Sequence, residues 1–65
     1  MPSSVISFIH YDAGKKILRV GYVSGMVYDY KQVPEAVYLD MKAAFSKGTF
    51  LNRHIKNKYE FEKIE

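Results

Sequence analysis

Two short segments in which apolar and polar residues alternate constrain this chain more than any other feature. They cover residues 17–23 and 26–31, and only the dipeptide Ser24-Gly25 separates them. Alternation with a period of two is typical of a half-buried strand, and a Ser-Gly dipeptide between two such segments is typical of a tight hairpin. The residues that share one side of each segment are Leu18, Val20 and Tyr22, and then Met26, Tyr28 and Tyr30. The two segments therefore predict an antiparallel strand pair with one apolar face.

A third segment, before the hairpin, extends the predicted sheet. Residues 4–11 are rich in β-forming side chains, and the turn signal at residues 12–15, Asp-Ala-Gly-Lys, separates them from the hairpin. A link this short allows antiparallel pairing only, because parallel strands need a longer crossover. The chain is therefore interpreted as beginning with a three-stranded antiparallel meander.

Two helices are predicted after the sheet. Val33-Pro34 ends the third strand, because Pro cannot donate to a strand ladder but fits the first turn of a helix. Lys47-Gly48 gives a stop signal for the first helix, and Thr49 is placed to cap a second, shorter helix through about Lys58. The apolar stripe of the first helix is Val37, Met41, Ala44 and Phe45, and that of the second is Leu51, Ile55 and Tyr59.

The length of the chain allows one domain and leaves no room for a deep cleft. A chain of 65 residues buries only about 60% of the surface that its unfolded form exposes. Since a three-stranded sheet is unstable alone, the first helix must cover one face of it. The expected fold is α+β with the order β-β-β-α-α, as a single domain over residues 1–65 with its core at about 4–59. The acidic tail, residues 60–65, alternates in polarity and fits either a frayed end or a short edge strand.

The residues that could carry catalysis or hold a cofactor do not form a recognisable pattern. Cysteine is absent, and no glycine motif of a phosphate or dinucleotide site occurs. His10 and His54 fall on different predicted elements, and a metal site would need a third ligand such as Asp12. We therefore predict no enzyme, no catalytic residue, no cofactor and no metal. The longest apolar run, residues 36–39, spans four residues, which predicts a soluble, cytoplasmic chain without a membrane partner.

Positive charge is concentrated in the second half of the chain. The net charge is +3 at neutral pH, and residues 41–59 contain no acidic side chain. A segment whose charged side chains are all positive is expected at a phosphate-binding surface, although it is also expected on a solvated helical face. The candidate nucleic-acid-binding residues are Lys47, Asn52, Arg53, Lys56 and Lys58, with Tyr28 and Tyr30 as rings that could stack on bases. The alternative for the two tyrosines is that their rings pack under the helix with their hydroxyls at the rim.

The opposite face of the predicted sheet is partly apolar, which favours a different kind of partner. A sheet face of this kind is usually covered by another protein or by the chain's own tail. The members of this outer face are Ile6, Phe8, Ile17, Val23 and Val27. A protein-interaction or self-associating domain, such as a homodimer, is therefore the alternative function. On the same face, Asp29 is expected to meet solvent or to pair with Arg19 or Lys31.

The order and spacing of several small motifs resemble a known family. The motifs are Leu18-x-Val20-x-Tyr22-x-x-Gly25-x-x-Tyr28-x-Tyr30-x-x-Val33-Pro34, then Val37-Tyr38, Ala44-x-Ser46-x-Gly48, Asn52 and Ile55-Lys56, with Ser4 and Tyr11-Asp12 upstream. Together they resemble the KTSC domain over roughly residues 4–59, and Tyr28-Asp29-Tyr30 is the most recognisable part. Tyr22 departs from the pattern, because the family usually has Phe there.

The resemblance implies a small, non-enzymatic accessory module of bacterial or phage origin. The KTSC family includes proteins that consist of this domain alone and domains fused to the C-terminus of some lysyl-tRNA synthetases, and the fusion makes RNA the implied partner. The positions that match the family's motifs are Tyr28, Tyr30, Ser46, Gly48, Asn52 and Lys56. Ser46, Gly48 and Asn52 also have structural alternatives at helix ends and turns.

Overall fold

One antiparallel sheet with helices on a single face makes up the fold. The computed structural model describes residues 6–64, so the predictions for residues 1–5 and 65 lie outside the described part. In chain order the elements are β1 (Ile6–Asp12), β2 (Ile17–Tyr22), β3 (Val27–Tyr30), α1 (Glu35–Ala43), α2 (Lys47–Phe50), a π-helical turn that continues α2 (Leu51–Ile55), and β4 (Phe61–Lys63). The strands lie in the order β1-β2-β3-β4, each antiparallel to its neighbour.

The central hairpin forms where the alternation predicts it. Leu18 lies opposite Tyr30, and Val20 lies opposite Tyr28. The turn is closed by two backbone hydrogen bonds, from Tyr22 N to Met26 O at 2.8 Å and from Gly25 N to Tyr22 O at 2.9 Å. Gly25 has φ of 101°, a left-handed conformation that is accessible to glycine because it lacks a Cβ.

The core lies between the inner face of the sheet and the helical segments. The fully buried apolar residues are Leu18, Val20, Tyr30, Val33, Met41, Leu51 and Ile55. α1 is held at the edge of this core by Tyr11, whose hydroxyl donates to the Val33 carbonyl at 2.6 Å and whose ring stacks on Tyr38 at 5.1 Å. The predicted inner face of the hairpin is thus confirmed for Leu18, Val20, Tyr22, Tyr28 and Tyr30. Met26 was also expected there, but it lies in the turn between β2 and β3 and does not join this core. Within residues 6–64, no helix has the length and apolar character needed to span a bilayer.

The sheet has four strands, so the expectation of three was wrong. β4 pairs with β3, placing Phe61 opposite Tyr30. Backbone hydrogen bonds from Lys31 N to Glu60 O at 2.8 Å and from Ile64 N to Val27 O at 2.7 Å flank the pair. Of the two alternatives for the acidic tail, the short edge strand is the one that forms. Its Phe61 ring lies against Tyr28 and Tyr30, which gives the strand an apolar anchor.

The first helix is shorter than predicted, and the second begins earlier, at Lys47, and ends at Ile55 with its π-helical turn, because the chain breaks between the two helices. Ala44 is extended, with φ −67° and ψ 143°, and α1 therefore ends at Ala43 rather than near Lys47-Gly48. Phe45, which was expected in the apolar stripe, is 88% exposed. Ser46, not Thr49, caps α2: its Oγ accepts a hydrogen bond from Thr49 N at 3.3 Å. A cap at this position satisfies a backbone N–H that a continuous helix would have paired internally.

A bulge in β1 changes the predicted membership of the outer face. The register shifts between Ile6 and Phe8, so that Ile6 lies opposite Tyr22 and Phe8 lies opposite Gly21. Ile6 consequently packs against the core, and its assignment to the outer face was wrong. Phe8 stays on the outer face and is 47% exposed. β4 extends the sheet at its edge, beside β3, instead of crossing this face.

Candidate nucleic-acid interface

The second helical segment presents polar side chains because its apolar ones are anchored in the core. Leu51 and Ile55 are buried, whereas Asn52, Arg53 and Lys56 are exposed. Lys56 N donates to Leu51 O at 2.8 Å, a hydrogen bond five residues back that widens the last turn into a π-helix. The two buried side chains, four positions apart, therefore orient this segment and leave Asn52, Arg53 and Lys56 exposed to solvent.

A basic hollow lies where this segment meets the sheet edge. After the π-helical turn, Lys58 N and Tyr59 N both donate to Ile55 O, and the Lys31 N to Glu60 O bond ties the chain to the end of β3. The hollow is open to solvent and has a volume of about 540 Å³. Its lining residues, here named the basic concavity, are Lys31, Lys56, Asn57, Lys58, Tyr59, Glu60 and Phe61. Three lysines therefore share one surface depression with a single acidic side chain.

A second hollow lies between the hairpin turn and the same helical segment. It has a volume of about 510 Å³. Its lining residues, here named the turn groove, are Tyr22, Val23, Ser24, Gly48, Leu51, Asn52 and Lys56. Tyr22, Val23 and Leu51 make most of the wall apolar. Lys56 belongs to both hollows, so the two adjoin at its side chain.

The predicted polar residues are distributed unevenly over these two hollows. Lys56 and Lys58 line the basic concavity, and Asn52 lines the turn groove. Lys47 and Arg53 line neither, although Arg53 is exposed on the same segment and Lys47 begins α2. The structure therefore brings three of the five predicted basic and amide residues to adjoining concave surfaces, with Arg53 beside them.

The two candidate stacking tyrosines have different surroundings. Tyr30 is 2% exposed, and burial raises its pKa, with a side-chain hydrogen bond to Tyr22 adding to the effect. Its ring therefore belongs to the core and offers no face to a base. Tyr28 is half-buried between Tyr22 and Phe61, with ring centroids 5.5 Å from each. Tyr30 therefore follows the alternative expectation, in which the ring packs under the helices.

The sequence pattern did not identify two further residues of the basic concavity, Lys31 and Phe61. Lys31 lies outside the acid-free window, and only the pairing of β3 with β4 brings it next to Lys58 and its neighbours. Phe61 is 52% exposed and supplies an aromatic surface at the same hollow. The alternation of the tail was the available signal for Phe61. Lys31 also approaches Glu62, with Nζ to Oε1 at 3.7 Å.

The described residues hold no group suited to a metal. Among residues 6–64, no cluster of three or more His, Asp or Glu side chains has the geometry to coordinate an ion. His54 packs its ring on Phe50 at 4.7 Å, and His10 lies opposite Arg19 on the outer face. The chemistry of the two hollows is thus that of charge, amide and aromatic groups.

The four-stranded sheet, its one-sided helical cover and the adjoining hollows define a small α+β domain with a basic surface depression. The family model of the KTSC domain matches residues 2–59, and the chain belongs to the KTSC family. KTSC is a small domain to which no enzymatic activity is assigned. The family assignment and the α+β class predicted from the sequence are confirmed.

Solved and curated relatives agree with this assignment. A KTSC domain protein of Yersinia pestis superposes with a TM-score of 0.87 at 34% identity, covering 100% of this chain and 94% of that one. A small protein of Tsukamurella paurometabola is 37% identical over 57 residues, which is 88% of this chain and 85% of that protein. A lysine–tRNA ligase of Nostoc punctiforme is 39% identical over 61 residues, and one of Trichormus variabilis is 33% identical over the same length. This chain spans 11% of the length of those ligases.

Proposed function

We propose that this KTSC domain is a non-enzymatic RNA-binding module that holds backbone phosphates at the basic concavity and along the adjoining helical segment. The observation that carries the proposal is the convergence of Lys31, Lys56 and Lys58 on one open hollow. Arg53, exposed on the same segment, and Lys47, at the start of α2, extend the positive surface.

The chemistry of the hollow suits phosphates better than a neutral ligand. Lysine is a compact charge on a flexible stem, which suits phosphate oxygens whose positions vary along a strand. Each phosphate that is neutralised releases condensed counterions, so several lysines acting together give binding that falls steeply with salt. The open shape of the basic concavity leaves a path for a polymer to pass through.

The names of two relatives add support for RNA as the polymer. The ligases of Nostoc punctiforme and Trichormus variabilis are named for lysine and tRNA, and each contains a stretch of 61 aligned residues similar to this chain. A basic module within a protein that acts on tRNA is well placed to raise its affinity for RNA. We extend this role to the present chain as part of the proposal.

The test reverses two charges at the proposed surface. Arg53→Glu combined with Lys56→Glu should weaken binding of a mixed tRNA pool by at least about 10-fold at low salt, as measured by the shifts of labelled amide signals in NMR spectra. Shifts in the wild type should cluster at residues 47–58 and around Lys31 and fade with added salt.

A matched control separates a local surface from overall charge. Lys15→Glu combined with Lys42→Glu changes the net charge equally, at exposed positions in the β1–β2 turn and on α1. This control should keep most of its affinity. Unchanged affinity in the Arg53 and Lys56 variant would overturn the proposal, and an equal loss in both variants would show that no particular surface is used.

The outer sheet face supports a second candidate function, a protein-interaction or self-associating domain. Phe8 is 47% exposed on this face, and Val23 in the neighbouring turn is 65% exposed. Sedimentation of the wild type and of Phe8→Ser tests it: an apolar complex should persist at high salt and be lost in the variant. A monomer at all concentrations would remove the self-associating form.

A further inference from the structure

The turn groove contains groups that the proposed phosphate contacts do not use. Tyr22, Val23 and Leu51 form an apolar wall, and Asn52 and Ser24 add polar groups at its margin. Among residues 6–64, neither Asn52 nor Lys56 makes a side-chain hydrogen bond or ion pair with another residue, in contrast to Arg19 and Lys31. Both side chains are therefore available to a ligand.

The combination of these groups fits a flat heterocycle carrying hydrogen-bonding edges. A tyrosine ring and aliphatic side chains offer a stacking surface, and a carboxamide can donate and accept hydrogen bonds at once. The volume of about 510 Å³ lies within the usual range of small-ligand sites and exceeds what one nucleobase needs. The groove therefore has room for one base, and Ser24 and Asn52 at its margin offer hydrogen-bonding partners that an apolar segment would leave unused.

The position of Lys56 connects this groove to the phosphate surface. Its side chain lines both the turn groove and the basic concavity. A nucleotide whose base enters the groove would therefore have its phosphate next to the Lys56 ammonium, and the following phosphates would pass toward Lys31 and Lys58. Lys56 therefore connects the site proposed for the base with the site proposed for the phosphates.

We propose that the turn groove receives one unpaired nucleobase, so that the domain binds RNA that is single-stranded at the point of contact. This inference rests on the proposed RNA-binding function and names its substrate class. A paired base is stacked on its neighbours, and its faces are not accessible to the groove. In A-form helices the major groove is also too deep and narrow for side chains to read. A base that is splayed out of a loop or strand can enter.

The experiment compares three probes at one ionic strength by fluorescence anisotropy. They are a labelled mixed-sequence 12-nucleotide RNA, the same strand annealed to its complement, and an abasic strand with the same number of phosphates. The single strand should bind about 10-fold more tightly than the duplex or the abasic strand, the scale expected for one stacked base. Equal binding of all three would overturn the base site and leave phosphate binding intact. Absence of binding to any probe would instead overturn the proposed function.

Two asparagine variants assign the preference to the groove. Asn52 lines the turn groove, whereas Asn57 lines only the basic concavity, and both are exposed. Asn52→Ala should reduce the preference for the single strand by about 5-fold, the scale expected for the loss of one hydrogen bond, while duplex affinity stays the same. Asn57→Ala should preserve the preference. A preference that survives in Asn52→Ala, or that is lost equally in both variants, would contradict the assignment of the base to this groove.

Discussion

Arg19 and Asp29 face each other across β2 and β3 and are joined by two hydrogen bonds. Arg19 Nε donates to Asp29 Oδ1 at 2.7 Å, and Nη2 donates to Oδ2 at 3.0 Å. Asp29 is 8% exposed, although it lies on the outer face of the sheet. The planar guanidinium of Arg19 donates one hydrogen bond to each oxygen of the Asp29 carboxylate, a geometry that requires the two residues to lie opposite each other. The pair therefore supports the register of the central hairpin on the sheet face that points away from the core.

Removing the Asp29 carboxylate should destabilise the domain measurably. Asp29→Ala is expected to lower the free energy of unfolding by about 1 kcal/mol, because the well-oriented pair is lost but Arg19 is partly exposed and can rehydrate. Urea unfolding measures the change. Glu62→Ala is the control, since Glu62 makes only a 3.7 Å contact with Lys31 and should cost less than about 0.5 kcal/mol. Equal costs would show that the two hydrogen bonds of Asp29 add no stability.

The Phe8 ring covers Gly21 across β1 and β2, so the two positions should be coupled. A Cβ at Gly21 would collide with the Phe8 ring, and Gly21→Ala must displace the ring at a cost of about 1 kcal/mol or more. In a Phe8→Ala background the same change should be nearly neutral. A double-mutant cycle of unfolding free energies measures the coupling, and an identical cost in both backgrounds would contradict the close packing.

Ser46 should contribute to stability as the cap of α2. Ser46→Ala removes the acceptor of the Thr49 N–H and is expected to cost about 1 kcal/mol. Ser46→Asp should restore most of that stability, because its carboxylate can accept the same hydrogen bond at a helix N-terminus. Thermal unfolding of the three proteins is the measurement. Failure of the aspartate to restore stability would mean that Ser46 acts through something other than capping.

Burial of Tyr30 predicts a loss of stability in alkaline solution. Its pKa in the folded protein is raised, whereas in the unfolded chain it has the ordinary value of about 10. Below pH about 10 the tyrosine is protonated in both states, and its full contribution to the stability of the folded protein remains. Above that pH it loses its proton in the unfolded chain first, so unfolding becomes more favourable as the pH rises. Tyr30→Phe should be less stable at neutral pH by about 1 kcal/mol through the lost hydrogen bond.

Comparison of the two proteins isolates the contribution of Tyr30 from that of the other ionisable side chains. The stability of the wild type relative to Tyr30→Phe should fall as the pH is raised from 9 to 11, by about 1 kcal/mol or more in total, so that the advantage of the wild type disappears. Urea unfolding at several pH values provides the measurement. A difference that stays constant would show that Tyr30 ionises equally easily in both states.

Local patterns in the sequence predicted the parts of the fold that depend on neighbouring residues. The hairpin and its buried face follow from alternation around Ser24-Gly25, and the pairing of Asp29 with Arg19 was one of the alternatives that its strand position allowed. The α1 boundary was wrong because helical spacing continues through Ala44 and Phe45, while the competing cap at Ser46 gives no periodic signal. The bulge at residues 6–8 also gives no periodic signal in the sequence, so Ile6 was placed on the wrong face of the sheet.

The candidate site could be predicted only in part, because it joins residues far apart in the chain. Lys56 and Lys58 belong to one basic window and were recognised by charge alone. Lys31 lies near them because β3 pairs with β4. That pairing is hard to predict from the sequence, because β4 has only three residues and all of them are exposed. Burial decides the role of Tyr30, and burial depends on the whole packing rather than on the Tyr-x-Tyr motif.

The short strand β4 lies beyond the stretch that the family model matches, which ends at residue 59. A chain cut at that point would leave β3 as a bare sheet edge, with Lys31 N and Val27 O losing the partners that residues 60–64 provide. It would also uncover Tyr28 and Tyr30 where Phe61 now packs. Unpaired edges beside aromatic rings can recruit other extended chains, so we expect a chain cut at residue 59 to aggregate more readily than one that keeps residues 60–64.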